Sequence, residues 1–147
     1  PISGLTYEQS SGWRDTASFW LDKIGVRTFN PLLPSDIDFV NQETGKFCDG
    51  KGLADEISTS FFYMDILWVH QSDVVLADFT LIPEKGVSGG TIYELGYAGA
   101  LGKVCIVVGP KENIPLFCFK GATLHFTYLN DAIKFIAQTY TSGGNDE

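Results

Sequence analysis

Residues 87–96 (VSGGTIYELG) include residue types that can carry out group-transfer chemistry. The glycine pair Gly89 and Gly90 lets the backbone turn sharply and lets a ligand approach it closely. The helix predicted to follow directs its free backbone N–H groups toward such a ligand. Glu94 is predicted in the first turn of this helix, where its carboxylate could attack an electrophilic carbon. The segment therefore indicates a ligand site with a candidate nucleophile.

The same spacing also has a purely structural interpretation. Thr91 and Glu94 stand three residues apart, as in a capping box with Thr91 as the N-cap and Glu94 as its reciprocal partner. A glycine-rich loop before a helix is a weak signal without its structural context. On the residues alone, both roles of Glu94 stay open.

Two aspartates are further candidates for this site. Asp65 shares a predicted helix face with aromatic residues, where an acid is costly unless it is paired or used. A rotated helix that leaves Asp65 in water fits the spacing equally well. Asp78 ends a predicted buried strand, where ligands of parallel sheets bind, although a turn-forming aspartate suits that position too. Arg14, beside Trp13, is predicted to be solvated, with contact to an anionic substrate as the other interpretation.

Alternating helices and apolar strands must position these side chains. Residues 73–79 (DVVLADF) and 103–108 (KVCIVV) are near-continuous apolar runs, typical of strands buried on both faces of a parallel sheet. Further strands are predicted over 26–29 and 123–127, and helices over 7–24, 58–71, 91–101 and 129–140. This order predicts an α/β fold, a three-layer, doubly wound (Rossmann/flavodoxin-like) parallel sheet with helices on both faces. Its site is expected beyond the carboxyl ends of the strands, at loops 80–90 and 109–122.

The first helix has the clearest local signals. Thr6 and Gln9 fit a capping box at its start, and Gly25 fits its end. An apolar stripe is predicted to face the core, formed by Trp13, Ala17, Trp20, Leu21 and Ile24. Residues 34–57 lack a clean period, which favours a lid or binding loop.

Composition excludes several classes of function. The chain has 147 residues, with 10 Lys+Arg against 18 Asp+Glu and a net charge of -8, which argues against binding to nucleic acid or to an anionic membrane. No apolar run approaches the ~18 residues of a membrane-spanning helix. His70 and His125 have no acidic or thiol residue at metal-ligand spacing, so we expect no metal and no other cofactor. The absence of a visible signal segment predicts a cytoplasmic location.

Several blocks of the chain together carry a family resemblance. PISGLTYEQSSGWRD, GVRTFNPL, the helix with Asp65 and SDVVLADF lead to the most specific block, SGGTIYELGYAGALGKVCIVV. In that block a serine or acidic residue precedes Gly-Thr-x-x-Glu-x-Gly-x-Ala, and Gly-Lys precedes an apolar strand. The residues at those places are Ser88, Gly90, Thr91, Glu94, Gly96, Ala98, Gly102 and Lys103. The chain resembles the nucleoside 2-deoxyribosyltransferase family, including the related 2′-deoxynucleoside 5′-monophosphate N-hydrolases.

The resemblance implies N-glycosyl transfer or hydrolysis on (deoxy)nucleosides or their 5′-monophosphates. Glu94 would attack C1′ and release the base as a covalent glycosyl-enzyme forms, and a second base or water would then attack the ester. Asp65 would contact the base and assist its protonation, which requires a raised pKa. We expect these residues around the substrate, with Asp78 placed there by its position at the end of a strand: Ser3, Gly4, Asp78, Ser88, Gly89, Gly90 and Thr91.

Two departures from the family pattern bear on this prediction. The family's first strand, with its Tyr-x-x-Gly, is absent before Pro1, and we expect that the sequence is truncated there. We expect a single domain over residues 1–141 and a frayed tail over 142–147. Ser88 stands where many transferases carry Asp. A serine at this place resembles the pattern of the monophosphate hydrolases. An aspartate there would repel the phosphate of the substrate, whereas a serine would not. Those hydrolases also use an arginine in the first loop, where this chain offers Ser3.

Other functions on the same fold remain alternatives. One is a non-catalytic nucleotide-binding or sensor module. Another is a phosphoribohydrolase of the cytokinin-activating type, although Ser88-Gly89-Gly90-Thr91 fits its Pro-Gly-Gly-x motif poorly. The expected partners are a small nucleoside or nucleotide and an acceptor base, with no nucleic acid or membrane. Family members are usually homo-oligomers, which makes 61–63 and 117–119 candidate contact surfaces for a dimer or larger assembly, with core packing as the other interpretation.

Overall fold

The computed structural model describes residues 5–32, 55–82, 86–87 and 89–141, and for residues 55–61 it describes the backbone alone. The elements in chain order are α1 (Tyr7–Asp22), α2 (Asp55–Gln71), β1 (Val74–Asp78), α3 (Gly89–Ala100), β2 (Val104–Val108), a 3-10 turn (Lys111–Asn113), α4 (Leu116–Gly121), β3 (Leu124–Phe126) and α5 (Leu129–Thr141). The predicted lid over 34–57 lies largely outside the described residues, and the tail lies wholly outside them.

The strands of the described residues form one parallel sheet in the order β1-β2-β3. Val74 pairs with Val104, Asp78 pairs with Val108, and Val108 in turn pairs with Phe126. Because the strands are parallel and in register, their carboxyl ends meet at one edge of the sheet. That edge is where the sequence places the functional loops.

Side chains of β2 alternate between two cores, one on each face of the sheet. Cys105 and Val107 pack in a cluster with residues of α2, α3 and α4. Ile106 and Val108 pack in a second cluster with residues of α1 and α5. Helices therefore cover both faces, and the predicted three-layer, Rossmann/flavodoxin-like architecture is confirmed.

The first helix starts as its sequence predicts. Thr6 Oγ1 accepts a hydrogen bond from the Gln9 backbone N–H, and Gln9 Oε1 accepts one from the Thr6 N–H, which completes the capping box. Gly25, at φ +81°, follows the helix end in a conformation that favours glycine. The predicted stripe is only partly right, because Ala17 and Leu21 are buried whereas Trp20 is 51% exposed.

The structure corrects two further element predictions. Residues 26–29 do not form a strand. Part of the predicted loop 109–122 is helical, in the 3-10 turn and α4, because Cys118 and Ile114 pack into the core and fold this segment back onto the sheet. None of the described helices is long and apolar enough to cross a membrane.

Candidate active site

A cavity of about 780 Å³ runs along β1 and holds the ionisable groups that the sequence singles out. Its walls come from α1, residues 25–31, α2, β1, α3 and α5. This volume is in the range that small-molecule sites occupy, about 300–1,000 Å³. The charged lining residues near the carboxyl end of β1 are Arg14, Asp65, Asp78 and Glu94.

Glu94 is presented by α3 on the side that faces this cavity. Its neighbours Leu95 and Ala98 are buried in the core and fix the orientation of the helix. The helix begins at Gly89, so Glu94 lies in its second turn and Thr91 is its third residue. The prediction that Thr91 is the N-cap is therefore wrong, because the helix starts earlier than the apolar pattern suggested. Thr91 lines the cavity instead.

The carboxyl groups of Glu94 and Asp65 are hydrogen-bonded to each other. A hydrogen bond between two carboxyl groups needs a proton, since two ionised carboxylates are both acceptors. The pKa of Glu94 is raised from 4.5 to about 7, first by burial and then by the charge of Asp65, while positive charges, Arg14 among them, lower it. Protonation of Glu94 therefore relieves its charge repulsion with Asp65 and allows it to donate a hydrogen bond to that residue.

Asp78 both shapes a turn and faces the cavity. It is the last residue of β1 and is 8% exposed. Its Oδ1 accepts a hydrogen bond from the Thr80 N–H at 2.7 Å, so the turn-forming interpretation is right. Asp78 also lines the cavity, and its charge raises the pKa of Arg14. The two interpretations of this residue are therefore compatible.

The loops after β1 and β2 are held against each other. Gly109 has φ +123°, and a Cβ atom there would lie 2.8 Å from the carbonyl carbon of Phe79 and from the nitrogen of Thr80. The Asn113 side chain donates hydrogen bonds to the carbonyl oxygens of Phe79 and Thr80, at 3.1 and 3.3 Å. His125 Nε2 lies 2.9 Å from the Gly109 carbonyl oxygen, which extends these contacts to β3.

Arg14 is the residue that sequence reasoning missed. It is half-buried, and its guanidinium lies 4.4 Å from the centre of the Trp13 ring and donates a hydrogen bond to the Ser10 carbonyl oxygen. The prediction that it is solvated is wrong, because Arg14 shares the inward face of α1 with Ala17 and Leu21. The intervals of three and four residues that connect these positions were the available signal.

Aromatic rings form another part of the cavity wall. Phe29 and Trp68 are stacked, with ring centres 6.3 Å apart and planes 19° apart, and both line the cavity with Trp13. Apolar walls with a few convergent polar groups are typical of sites for small organic ligands.

The structure brings together Asp65, Asp78, Thr91 and Glu94 of the predicted site. Gly89 and Gly90 are exposed in the first turn of α3. Ser3, Gly4 and Ser88 lie outside the described residues. Within the described ranges, no cluster of His, Cys, Asp or Glu could hold a metal ion.

A comparison with sequence models of protein families finds a match that covers most of the chain. The model is that of the nucleoside 2-deoxyribosyltransferases, and it matches residues 9–123. The chain belongs to this family. Membership confirms the predicted resemblance and the prediction of an enzyme of the glycosyltransferase or N-glycosidase type. Glu94, Asp65, Asp78 and Arg14 all fall inside the matched range.

A solved structure is similar to this chain over nearly its whole length. The CMP N-glycosidase BcmB of Clostridium botulinum has 19% sequence identity and a TM-score of 0.48, with 90% of this chain and 92% of that chain covered. No protein in the search of curated sequences matches this chain.

Proposed function

We propose that this enzyme cleaves the N-glycosidic bond of nucleosides or their 5′-monophosphates by a double displacement at C1′ with Glu94 as the nucleophile. The observation that carries the proposal is the hydrogen-bonded pair of Glu94 and Asp65 in the cavity that runs along β1. Paired carboxyl groups supply both a nucleophile and a proton donor, which retaining glycosidic chemistry requires.

In the first displacement, a carboxylate oxygen of Glu94 forms a bond to C1′ while the bond between C1′ and the base nitrogen breaks. The electron pair of that bond leaves with the base, and Asp65 donates a proton to the base. This step requires Glu94 to be the ionised member of the pair and Asp65 to be the protonated one.

In the second displacement, the nitrogen of an acceptor base or a water oxygen attacks C1′ and breaks the ester bond to Glu94. Asp65 takes the proton of the attacking group, so the pair returns to its starting state. Each displacement inverts C1′, so the product retains the configuration of the substrate. The stacked rings of Phe29 and Trp68 offer an apolar wall for the planar base.

The test is chromatographic detection of the free base. The protein is incubated with each nucleoside and deoxynucleoside, and with the corresponding 5′-monophosphates, with and without a second base. Release in water alone indicates a hydrolase, and a new nucleoside formed only with the second base indicates a transferase. Glu94→Gln is expected to abolish turnover. Asp65→Asn is expected to slow it by about 10²- to 10⁴-fold for bases that need protonation.

Glu112→Gln is the matched control, because Glu112 is an exposed carboxylate on the 3-10 turn. Rapid quenching and intact-mass measurement should detect a sugar adduct on the wild type and none on Glu94→Gln. Tight substrate binding without turnover, unchanged in Glu94→Gln, would instead support a binding or sensor module.

A further inference from the structure

Arg14 has no role in the mechanism above, yet it lines the same cavity as Asp65, Asp78 and Glu94. On α1 it lies four residues after Ser10 and three before Ala17, and both of these neighbours are buried. An arginine on the inward face of a helix is rare unless anionic groups accompany it. The acidic residues that line the cavity are such anionic groups.

The Arg14 side chain is fixed from two sides. Its guanidinium lies over the Trp13 ring and donates to the carbonyl oxygen of Ser10, one turn earlier in the same helix. A planar cation that is stacked and hydrogen-bonded loses little further freedom when it faces a carboxylate. The position of this charge is therefore set by α1.

We propose that Arg14 is a positioning residue that favours the ionised form of Glu94, which is the form that attacks C1′. This inference rests on the proposed function, in which Glu94 must be a carboxylate when it attacks. A cation stabilises the charged form of a neighbouring acid.

The charges around Glu94 support this assignment. Burial and then Asp65 on α2 raise the pKa of Glu94, whereas positive charges, Arg14 on α1 among them, lower it. Burial lowers the pKa of Arg14 to about 10, while Glu94, Asp78, Asp15 and Asp65 raise it. Glu94 has the largest effect of these four acids on Arg14, and a cation with a pKa of about 10 stays charged throughout the neutral range. Arg14 is thus a charged group on α1 that opposes the effect of Asp65 on Glu94.

The experiment is a titration that does not depend on turnover. Protein with ¹³C-labelled glutamate carboxyls is titrated by NMR, and the Glu94 signal is assigned by its loss in Glu94→Gln. Arg14→Gln is expected to move the Glu94 midpoint upward by about one pH unit. Arg14→Lys should largely restore it. Arg27→Gln is the control, since Arg27 lines the same cavity but is not among the charges that act on Glu94.

Kinetics give a second readout. With the midpoint moved by one pH unit, kcat at pH 6 should fall by about tenfold in Arg14→Gln and recover at pH 9, with KM little changed. An unmoved Glu94 midpoint would overturn the proposal, and so would a rise in KM confined to 5′-monophosphates, which would make Arg14 a phosphate contact. If the midpoint moves but the wild type releases no base, Arg14 keeps its assignment and the proposed function fails. Arg14→Met, which keeps the packed stem without the charge, is used if Arg14→Gln does not fold.

Discussion

The raised pKa of Glu94 predicts that this residue destabilises the fold at alkaline pH. Its pKa is about 7 in the folded protein, against 4.5 for the unperturbed group. Between these two values the folded state binds more protons than the unfolded state, so stability falls as the pH rises through this window. Above pH 7 the loss is complete, and below pH 4.5 it is absent. Glu94→Gln should therefore stabilise the protein at high pH.

The magnitude follows from the same two pKa values. A rise from 4.5 to about 7 corresponds to roughly 3 kcal/mol at about 1.4 kcal/mol per pH unit. Glu94 is only half-buried, and solvent screens part of this energy, so we expect Glu94→Gln to gain about 1–2 kcal/mol at pH 8.5. At pH 5 the gain should be below about 0.5 kcal/mol, because the native carboxyl is then neutral like the amide.

Urea unfolding at the two pH values measures this difference, and thermal unfolding should show an increase of about 2–4 °C in Tm for each kcal/mol. Glu112→Gln serves as the control, since that carboxylate is exposed. A Glu94→Gln variant that is no more stable than the wild type at pH 8.5 would refute the reasoning. A gain of equal size at both pH values would refute it as well, because the effect would then not come from ionisation.

Two further substitutions test the parts of the fold that position the site. Gly109→Ala should destabilise the protein by at least about 1–3 kcal/mol in urea unfolding, because its Cβ would collide with the backbone of Phe79 and φ is +123°. Gly99→Ala on α3, where a Cβ meets nothing within 4 Å, should be neutral or stabilising, and a similar loss in both variants would contradict this explanation. Thr6→Ala should lower the free energy of unfolding by about 0.5–2 kcal/mol, because the capping box is lost. Thr6→Ser keeps the hydroxyl and should retain most of the stability.

The sheet could be predicted from the sequence because its strands are short, apolar and buried on both faces. The runs ending at Asp78 and Val108 are almost entirely apolar, and neither shows the spacing of an amphipathic helix. The capping box of Thr6 was equally predictable, since its partners lie three residues apart. Family membership was predictable from the block around Glu94, because many of its positions must agree at once.

The features that depend on contacts between distant elements were not predictable. Two stripes on α1 share Ala17 and Leu21, and only packing against α5 and the sheet selects the one that buries Arg14 and exposes Trp20. The pairing of Asp65 with Glu94 joins residues on different helices. The prediction of a strand over 26–29 was wrong because it used β propensity alone. Propensity describes how well side chains fit a sheet, whereas strand formation also requires a pairing partner elsewhere in the chain.

The contacts that join the strand ends have a consequence for how the cavity could change shape. Asn113 and Gly109 fasten the turn after Asp78, and His125 extends the same connections to β3. Groups tied by hydrogen bonds and close backbone contact move as one rigid unit, so Asp78 keeps a fixed place relative to the sheet. Adjustment to substrates of different size must then come from the helical side, where α1 carries Arg14 and α2 carries Asp65. The cavity would thus combine a fixed half at Asp78 with an adaptable half at Arg14 and Asp65.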